Sequence, residues 1–470
     1  MTLIAGVDSS TQSTKVELRD LDSGRVVGRA SAPHPTTTPP RSEQDPTAWW
    51  TAFDQAWTRS GAERVAAIAV GGQQHGMVVL DADDTVIRPA KLWNDTESAA
   101  DATWLLDRFP GGARGLARAT GSVPVASFTI TKLSWLHRTE PEAWRRLRRV
   151  LLPHDWLTHR MTGSHTTDRG DASGTGYWSP AEETYRWDVL ALVDAERDWT
   201  DSVPQVLGPM EVAGEWSGAL VAPGTGDNMA VALGLGLVPG DAVISLGTSI
   251  TAFSVSEAAT ADETGAVAGF ADATGRFLPL ACTLNGMKVV DAVRRLLASS
   301  VEEFDALALA SRPGAGGVVV SPYFDGERTP NLPAATGAMV GLRSDVTREQ
   351  FARATVEGVV CGALDALDAL RRCVPISGRV LLAGGGARSA AVRQVLADLC
   401  DLPVVVVDAE EAAAAGACVQ AASVLTGTSA ADIAAGWKLG VGHPVDRSAA
   451  ATSAAEVRAA YASLRDLLHP

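Results

Sequence analysis

LIAGVDSSTQSTKVELRDLDSGRVV, Leu3 to Val27, decides the fold. An apolar run ends at Asp8, small hydroxyl residues fill Ser9 to Thr14, and a second alternating run follows. The stretch predicts two strands joined by a hydroxyl-rich turn and closed by Asp22-Ser23-Gly24. The same grammar returns at DAVISLGTSITAFSV, Asp241 to Val255. Aligning Thr11 with Thr248 sets the copies half a chain apart, the spacing of an internal duplication. The second copy has Ser245 where the first has Asp8.

Between the copies, strand-like RVAAIAVGG, TVIRPAKLW and RRVLLPHDWLTHRM alternate with helix-like stretches such as TAWWTAFDQAW. Beyond the second copy, VTREQFARATVEGVVCGALDALDAL reads as a long amphipathic helix, GRVLLAGGG as a strand entering a glycine turn, and LPVVVV as another strand. Such alternation predicts layered α/β domains. The boundary is expected near Val238-Pro239-Gly240. That gives an N-terminal domain over 1–239, a second over 240–437 and a helical segment over 438–470 that contains AAEVRAAYASLRDLL. The alanine-rich EEAAAAGACVQAA reads as a tightly packed helix rather than disorder.

With 470 residues, of which 46% are hydrophobic and 20% charged, the chain has the composition of an ordinary globular protein large enough for two cores. Forty basic against 55 acidic residues give a formal net charge of −15. No basic block interrupts that balance, which argues against nucleic acid as a partner. Cys282, Cys361, Cys373, Cys400 and Cys418 are scattered and form no CxxC, as expected of small buried apolar residues in a reducing compartment. MTLIAGVDSS reaches an aspartate too soon for a secretory signal, and no apolar run approaches the ~20 residues of a membrane span. A cytoplasmic protein without membrane contact is expected.

A turn rich in hydroxyl and backbone N–H groups suits a phosphate chain. Two such turns, with GGGARS as a third, suit ATP. There is no GxxxxGK[ST], and GGGARSAAVRQ lacks GxGxxG spacing, so P-loop and dinucleotide sites are disfavoured. Asp8, at a strand end, is placed to hold Mg²⁺ directly or through water; its alternative is a turn former. GGQQHGM puts Gln73, Gln74 and His75 on a loop at a strand end, where amide and imidazole groups suit a polyhydroxylated ligand. Trp93, Asn94 and Asp95 add a flat apolar face and two polar groups, with core packing as the alternative for the tryptophan. In PGTGDNMAVALGLG, Asp227 stands at the mouth of an apolar helix, where it reads either as an N-cap or as a functional carboxylate that the helix dipole keeps ionised.

Together, GVDSSTQSTK, SEQDPTAWW, GGQQHGM, LWND, LLPHDWLTHRMTG, TDRGDASGT, GTGDN, SLGTS, PYFDGERTP and LLAGGGARS resemble the FGGY carbohydrate kinases, in family order from Gly6 to Ser389. The resemblance implies two domains of the ribonuclease-H-like, actin, hexokinase and Hsp70 type with a central cleft. It also implies ATP-dependent phosphorylation of D-xylulose to xylulose 5-phosphate, and allows a homodimer. By the same resemblance Asp227 is the catalytic base, and Asp8 lies near Mg²⁺ and the phosphates. Gln74, His75, Gly76 and Asn228 line the sugar pocket. Thr11, with Gly247, Thr248 and Ser249, forms the phosphate turns, and Gly384, Gly385, Gly386, Ala387 and Ser389 the adenosine region.

Three departures stand out. Ser9-Ser10 occupies positions where the family has an apolar residue and glycine, Gln74 replaces a common methionine, and the chain after GERTP lacks a usual aspartate. The alternatives are a kinase of the same family for another pentulose or pentitol, such as ribulose or arabinitol, and a non-metabolic ATP-binding protein of the actin and Hsp70 type.

Overall fold

A computed structural model describes residues 1–407, 411–448 and 454–469. The hairpin expected from the opening stretch is present as β1 (Leu3–Ser9) and β2 (Ser13–Asp20), antiparallel with Asp8 opposite Lys15, followed by β3 (Val26–Pro33). Ser10 solves the departure from glycine without entering the left-handed region. Its backbone N–H and its hydroxyl both donate to the Ser13 carbonyl, at 3.0 and 3.1 Å.

The chain forms two compact units, Met1–Leu237 with Ser256–Leu278 and Ala409–Gly440, and Val238–Val255 with Pro279–Asp408 and Val441–Pro470. The first unit takes in two segments beyond the expected boundary at Val238-Pro239-Gly240. In the first unit the sheet runs Gly214–Trp216, Ala219–Val221, Ala67–Gly72, β1, β2, β3, and β1 is parallel to Ala67–Gly72. In the second sheet, Gly442–Pro444, Val404–Val407, Val380–Ala383, Ala242–Leu246, Ile250–Ser254 and Phe277–Thr283 repeat that order, while Ala268–Ala271 in the second sheet and Thr225–Gly226 in the first have no counterpart. Each pairing has the same direction as its counterpart in the first sheet. The duplication legible at Thr11 and Thr248 therefore extends across both sheets.

On the first unit, the helix Pro46–Ser60 begins where Asp45 accepts from the Thr47 N–H and ends at Gly61, φ 78°. It packs on β2 and β3, burying Trp49 and Phe53 in an aromatic cluster with Trp156 and Trp216. The helix Ala412–Thr426 lies across β1 and Ala67–Gly72, and against the helix Asp227–Gly234. This contact has no room for side chains. A Cβ on Gly416 would stand 1.8 Å from the Ala230 carbonyl oxygen, one on Gly234 1.9 Å from that of Ala412, and one on Gly6 2.0 Å from that of Ala414. The alanine and glycine content of EEAAAAGACVQAA is thus a close backbone crossing, and it holds the helix that begins at Asp227.

In the second unit, the helix Arg348–Cys373 is opened by a capping box between Thr347 and Gln350. TVIRPAKLW, expected as a strand, forms the short pair Ala90–Lys91 with Glu43–Gln44 and single bridges from Val86 to Leu80 and from Lys91 to Met77; Pro89 interrupts it by removing a ladder N–H. All five cysteines are free, four of them buried. No described helix is long and apolar enough to cross a membrane.

Gly416→Val should lower stability by about 3 kcal/mol or more, because backbone rather than a yielding side chain meets the added atoms. Denaturant unfolding checks this, and unchanged stability would contradict the crossing.

Candidate active site

β1, Ala67–Gly72 and Thr225–Gly226 are parallel and end together. Asp8 stands beside Gly71, which stands beside Thr225; Ser9 stands beside Gly72, and Gly72 beside Gly226. The residues that follow, Ser10-Thr11, Gln73-Gln74-His75 and Asp227-Asn228, therefore leave the sheet at one level. Two hydrogen-bonded chains tie them. Asn228 Nδ2 donates to Asp227 Oδ1 at 2.8 Å and to Gln74 Oε1 at 2.9 Å. Trp93 Nε1 donates to Thr11 Oγ1 at 2.9 Å, and that hydroxyl donates to Gln73 Oε1 at 3.2 Å. Gln44 braces the turn by donating to the Thr11 carbonyl at 3.0 Å while accepting from Trp49 Nε1 at 2.7 Å. This gives SEQDPTAWW a structural purpose.

Four buried polar atoms of this set lack a protein partner: Asp8 Oδ1, Gln73 Nε2, Gln74 Nε2 and Asn94 Oδ1. Leaving such an atom unpaired costs about 1–3 kcal/mol, so two acceptors and two donors concentrated at one set of strand ends are suited to a ligand carrying several hydroxyls. His75 adopts φ 66°, donates from Nδ1 to the Gly174 carbonyl at 2.7 Å, and stacks on Phe128 with centroids 4.9 Å apart. That bond makes Nε2 the acceptor nitrogen of the neutral ring. Gly76 is needed for clearance, since a Cβ there would lie 2.6 Å from Pro153 Cγ.

Asp95 does not fit its expected place at the ligand. It is 0% exposed, with Oδ2 accepting from Ser42 N–H and Lys91 Nζ and Oδ1 from Glu97 N–H. Lys91, itself buried, also pairs with Glu43 and Glu97. A buried lysine needs such partners, so Asp95 braces the loop that presents Trp93 and Asn94.

Asp227 is the first residue of its helix, with Gly226 at the cap position and no side-chain cap bond, so the capping alternative is set aside. Its carboxyl is half-buried. Loss of hydration, then the negative charges of Asp8 and Asp171, raise it to about 7, against the lowering effect of Asn228. This corrects the expectation that the helix dipole dominates: burial and two carboxylates outweigh one helix end. Asp8, 5% exposed, is raised by burial and opposed by Lys15, whose Nζ lies 3.4 Å from Asp8 Oδ2 and 2.6 Å from Glu411 Oε2. The unpartnered Oδ1 of Asp8 is the hard oxygen donor that Mg²⁺ prefers. Other possible ligand groups among the described residues fit a metal less well. Lys91 already occupies Glu43-Asp95-Glu97, and in Asp84-His159-His165 the imidazoles stack 4.4 Å apart beside Arg149.

The remaining turns belong to the second unit. Gly247-Thr248-Ser249 follows the strand Ala242–Leu246, with Gly247 N–H donating to the Ser249 carbonyl, and it meets Gly286 and Met287 through backbone bonds. The glycine turn lies against it: Gly384, φ 80°, approaches the Leu246 carbonyl, and Gly386 packs on Leu246 and Met287. Gly385 is exposed, with nothing within 4 Å of an added Cβ, and Ala387 is buried. Ser389 departs from its expected role at the nucleotide. Its hydroxyl donates to Asp305 Oδ1 at 2.6 Å and caps the helix Ala390–Leu399.

Sequence reasoning assigned no role to His154, Asp168 and Asp171, which are buried behind the strand ends. The clustering of charge in PHDW and TDRGD was the available signal.

The FGGY family of carbohydrate kinases matches this chain through its N-terminal domain at residues 3–238 and its C-terminal domain at residues 242–425. The chain belongs to that family and is a carbohydrate kinase. It is 48% identical over 456 residues to a xylulose kinase of Streptomyces coelicolor, covering 94% of this chain and 92% of the relative. It also resembles the crystal structure of xylulose kinase from Bifidobacterium adolescentis, with TM-score 0.85, 41% identity and 99% of each chain covered. The structure of Plasmodium falciparum glycerol kinase with ADP shares the fold, at TM-score 0.89 and 17% identity.

A carboxyl raised from 3.8 to about 7 binds its proton more tightly in the folded state. Ionisation of Asp227 therefore costs stability as pH rises through that window. Asp227→Asn should raise the melting temperature at pH 8, on the order of a degree or two, and the gain should vanish towards pH 4. Thermal scans across pH check this; a loss of stability at pH 8 would contradict it.

Proposed function

We propose that this chain transfers the γ-phosphoryl group of ATP to the 5-hydroxyl of D-xylulose, with Asp227 as general base. The observation that carries the reading is Asp227 at the end of a parallel strand, half-buried, raised to about 7 and joined through Asn228 to Gln74. The xylulose kinases most similar in sequence support the choice of sugar. The hydroxyl oxygen attacks the γ-phosphorus as the bond to the β–γ bridging oxygen breaks, and the hydroxyl proton passes to Asp227. Phosphoryl transfer asks the protein mainly for alignment and charge neutralisation. A carboxylate with a pKa near 7 is matched to accepting that proton at neutral pH.

The unpaired amides of Gln73 and Gln74, with Asn94 and His75, would orient the sugar hydroxyls. Asp8 Oδ1 would hold Mg²⁺, directly or through water, with Lys15 fixing the carboxylate. When bound, that ion supplies positive charge to the phosphates. The turn at Gly247-Thr248-Ser249 would meet the phosphates through Thr248 and Ser249, and the exposed backbone at Gly384 and Gly385 would meet the adenosine. The amide of Gln74 in place of a thioether favours a second reading, a related pentulose or pentitol as substrate.

Asp227→Asn or Ala should lower turnover by about 10² to 10⁴ while leaving ATP affinity within a few-fold. An ADP-coupled assay with D-xylulose, ribulose and arabinitol tests both points. An Asn variant with most of the wild-type rate would sink the assignment. Gln74→Ala should raise KM for the sugar about tenfold through one lost buried hydrogen bond; an unchanged KM would remove Gln74 from the pocket.

A further inference from the structure

Behind the three strand ends, the first unit buries one imidazole among three carboxylates. His154 is 0% exposed, with Nδ1 2.7 Å from Asp171 Oδ2 and Nε2 3.2 Å from Asp155 Oδ1 and 3.8 Å from Asp168 Oδ1. A buried carboxylate without a counter-charge is costly, and this imidazole is the cation in contact with all three.

The same group grips the strand ends. A Cβ on Gly72 would lie 2.8 Å from His154 Cβ, and one on Gly224 2.5 Å from His154 Cδ2. Asp168 Oδ2 accepts from Thr225 Oγ1 at 2.7 Å, two residues before Asp227. Asp168 also caps the turn Arg169–Ser173 that carries Asp171, and Gly174 just beyond it receives His75 Nδ1–H. One polar assembly therefore touches the segment carrying Asp227 and the loop carrying His75.

We propose that His154 and Asp171 are positioning residues of the reaction, a buried counter-charged pair that fixes the strand ends under Asp227 and His75 and sets the charge that Asp227 faces. This rests on the reading of Asp227 as base. Burial alone would lower the His154 pKa, but Asp155, Asp171 and Asp168 raise it to about 9, while burial raises Asp155 and Asp171 to about 6. Imidazole and carboxylates thus favour one another's charged forms, against the burial that disfavours both. Asp227 is faced by Asp8 and Asp171 as charged groups and by Asn228 as a donor; Tyr177 lies beside Asp155 and Asp171.

His154 acts on Asp227 through the charge of Asp171. Asp171→Asn removes a negative charge that faces the base and should move the acidic limb of the kcat–pH profile down by about half a unit to one unit. His154→Gln removes the imidazolium that keeps the buried Asp171 carboxylate ionised, so Asp171 takes up a proton and the limb should move down by a similar amount. The double variant should shift no further than Asp171→Asn alone, because both changes act through one charge. A purely structural role would lower stability in all three without moving the limb.

Limbs that stay at the wild-type pH, or shifts that add in the double variant, would overturn the proposal. Should the His154 variant fail to fold, the Asp171→Asn limb decides alone. Asp227→Asn, assayed alongside, separates the two failures: a retained rate sinks the base, whereas a lost rate with unmoved limbs sinks only the positioning pair.

Discussion

The parallel ladder joining Leu3–Ser9, Ala67–Gly72 and Thr225–Gly226 sets the geometry of the candidate site. Because adjacent strands are held about 4.8 Å apart, three loops that begin at one level present Asp8, Gln73, Gln74 and Asp227 within reach of one small molecule. Register does this work before any side chain is chosen. A slip by one residue would turn Asp8 to the other face of its strand and shift the start of the helix at Asp227. Gly72 and Gly224 then allow His154 to close against the backbone from behind, so the strand ends are held from both directions.

The charge pattern follows from that crowding. Asp8 and Asp171 both face Asp227 in a partly dehydrated space and disfavour its ionisation. Two cations offset them, Lys15 between Asp8 and Glu411 at one end and His154 among its carboxylates at the other. Asp227 itself accepts from Asn228 Nδ2 at the helix start. A site of this kind is less stable than a neutral one and more reactive, the usual tension between folding and chemistry.

Features that depend on neighbours in sequence were legible in the chain. The hairpin at Leu3 to Val27, its copy at Asp241, the strand-end loop GGQQHGM and the helix after Asp227 all announce themselves through local pattern. Asp95 was misread because Ser42, which donates to it, and Glu43, which shares Lys91 with it, lie about fifty residues away. Ser389 looked like part of a ligand loop until Asp305 claimed its hydroxyl. The protonation of Asp227 was read from its own helix, whereas burial, and then charges on β1 and in TDRGD, decide it. The placing of Ser256–Leu278 and Ala409–Gly440 in the first unit is likewise a tertiary fact: Ala271 N–H donates to Ser173 Oγ, and Phe270 comes to 5.5 Å from the His75 ring.

The backbone crossing at Gly6, Gly234 and Gly416 also has a consequence in time. The sheet that carries Asp8 and the Gln73 loop is encoded within the first 240 residues, but the helix that seats the Asp227 segment lies at Ala412–Thr426. During synthesis, a chain that has left the ribosome only as far as its first domain possesses every proposed sugar contact and still lacks the support that fixes its base. The seat of the proposed proton acceptor is thus completed only once the helix Ala412–Thr426 has been made.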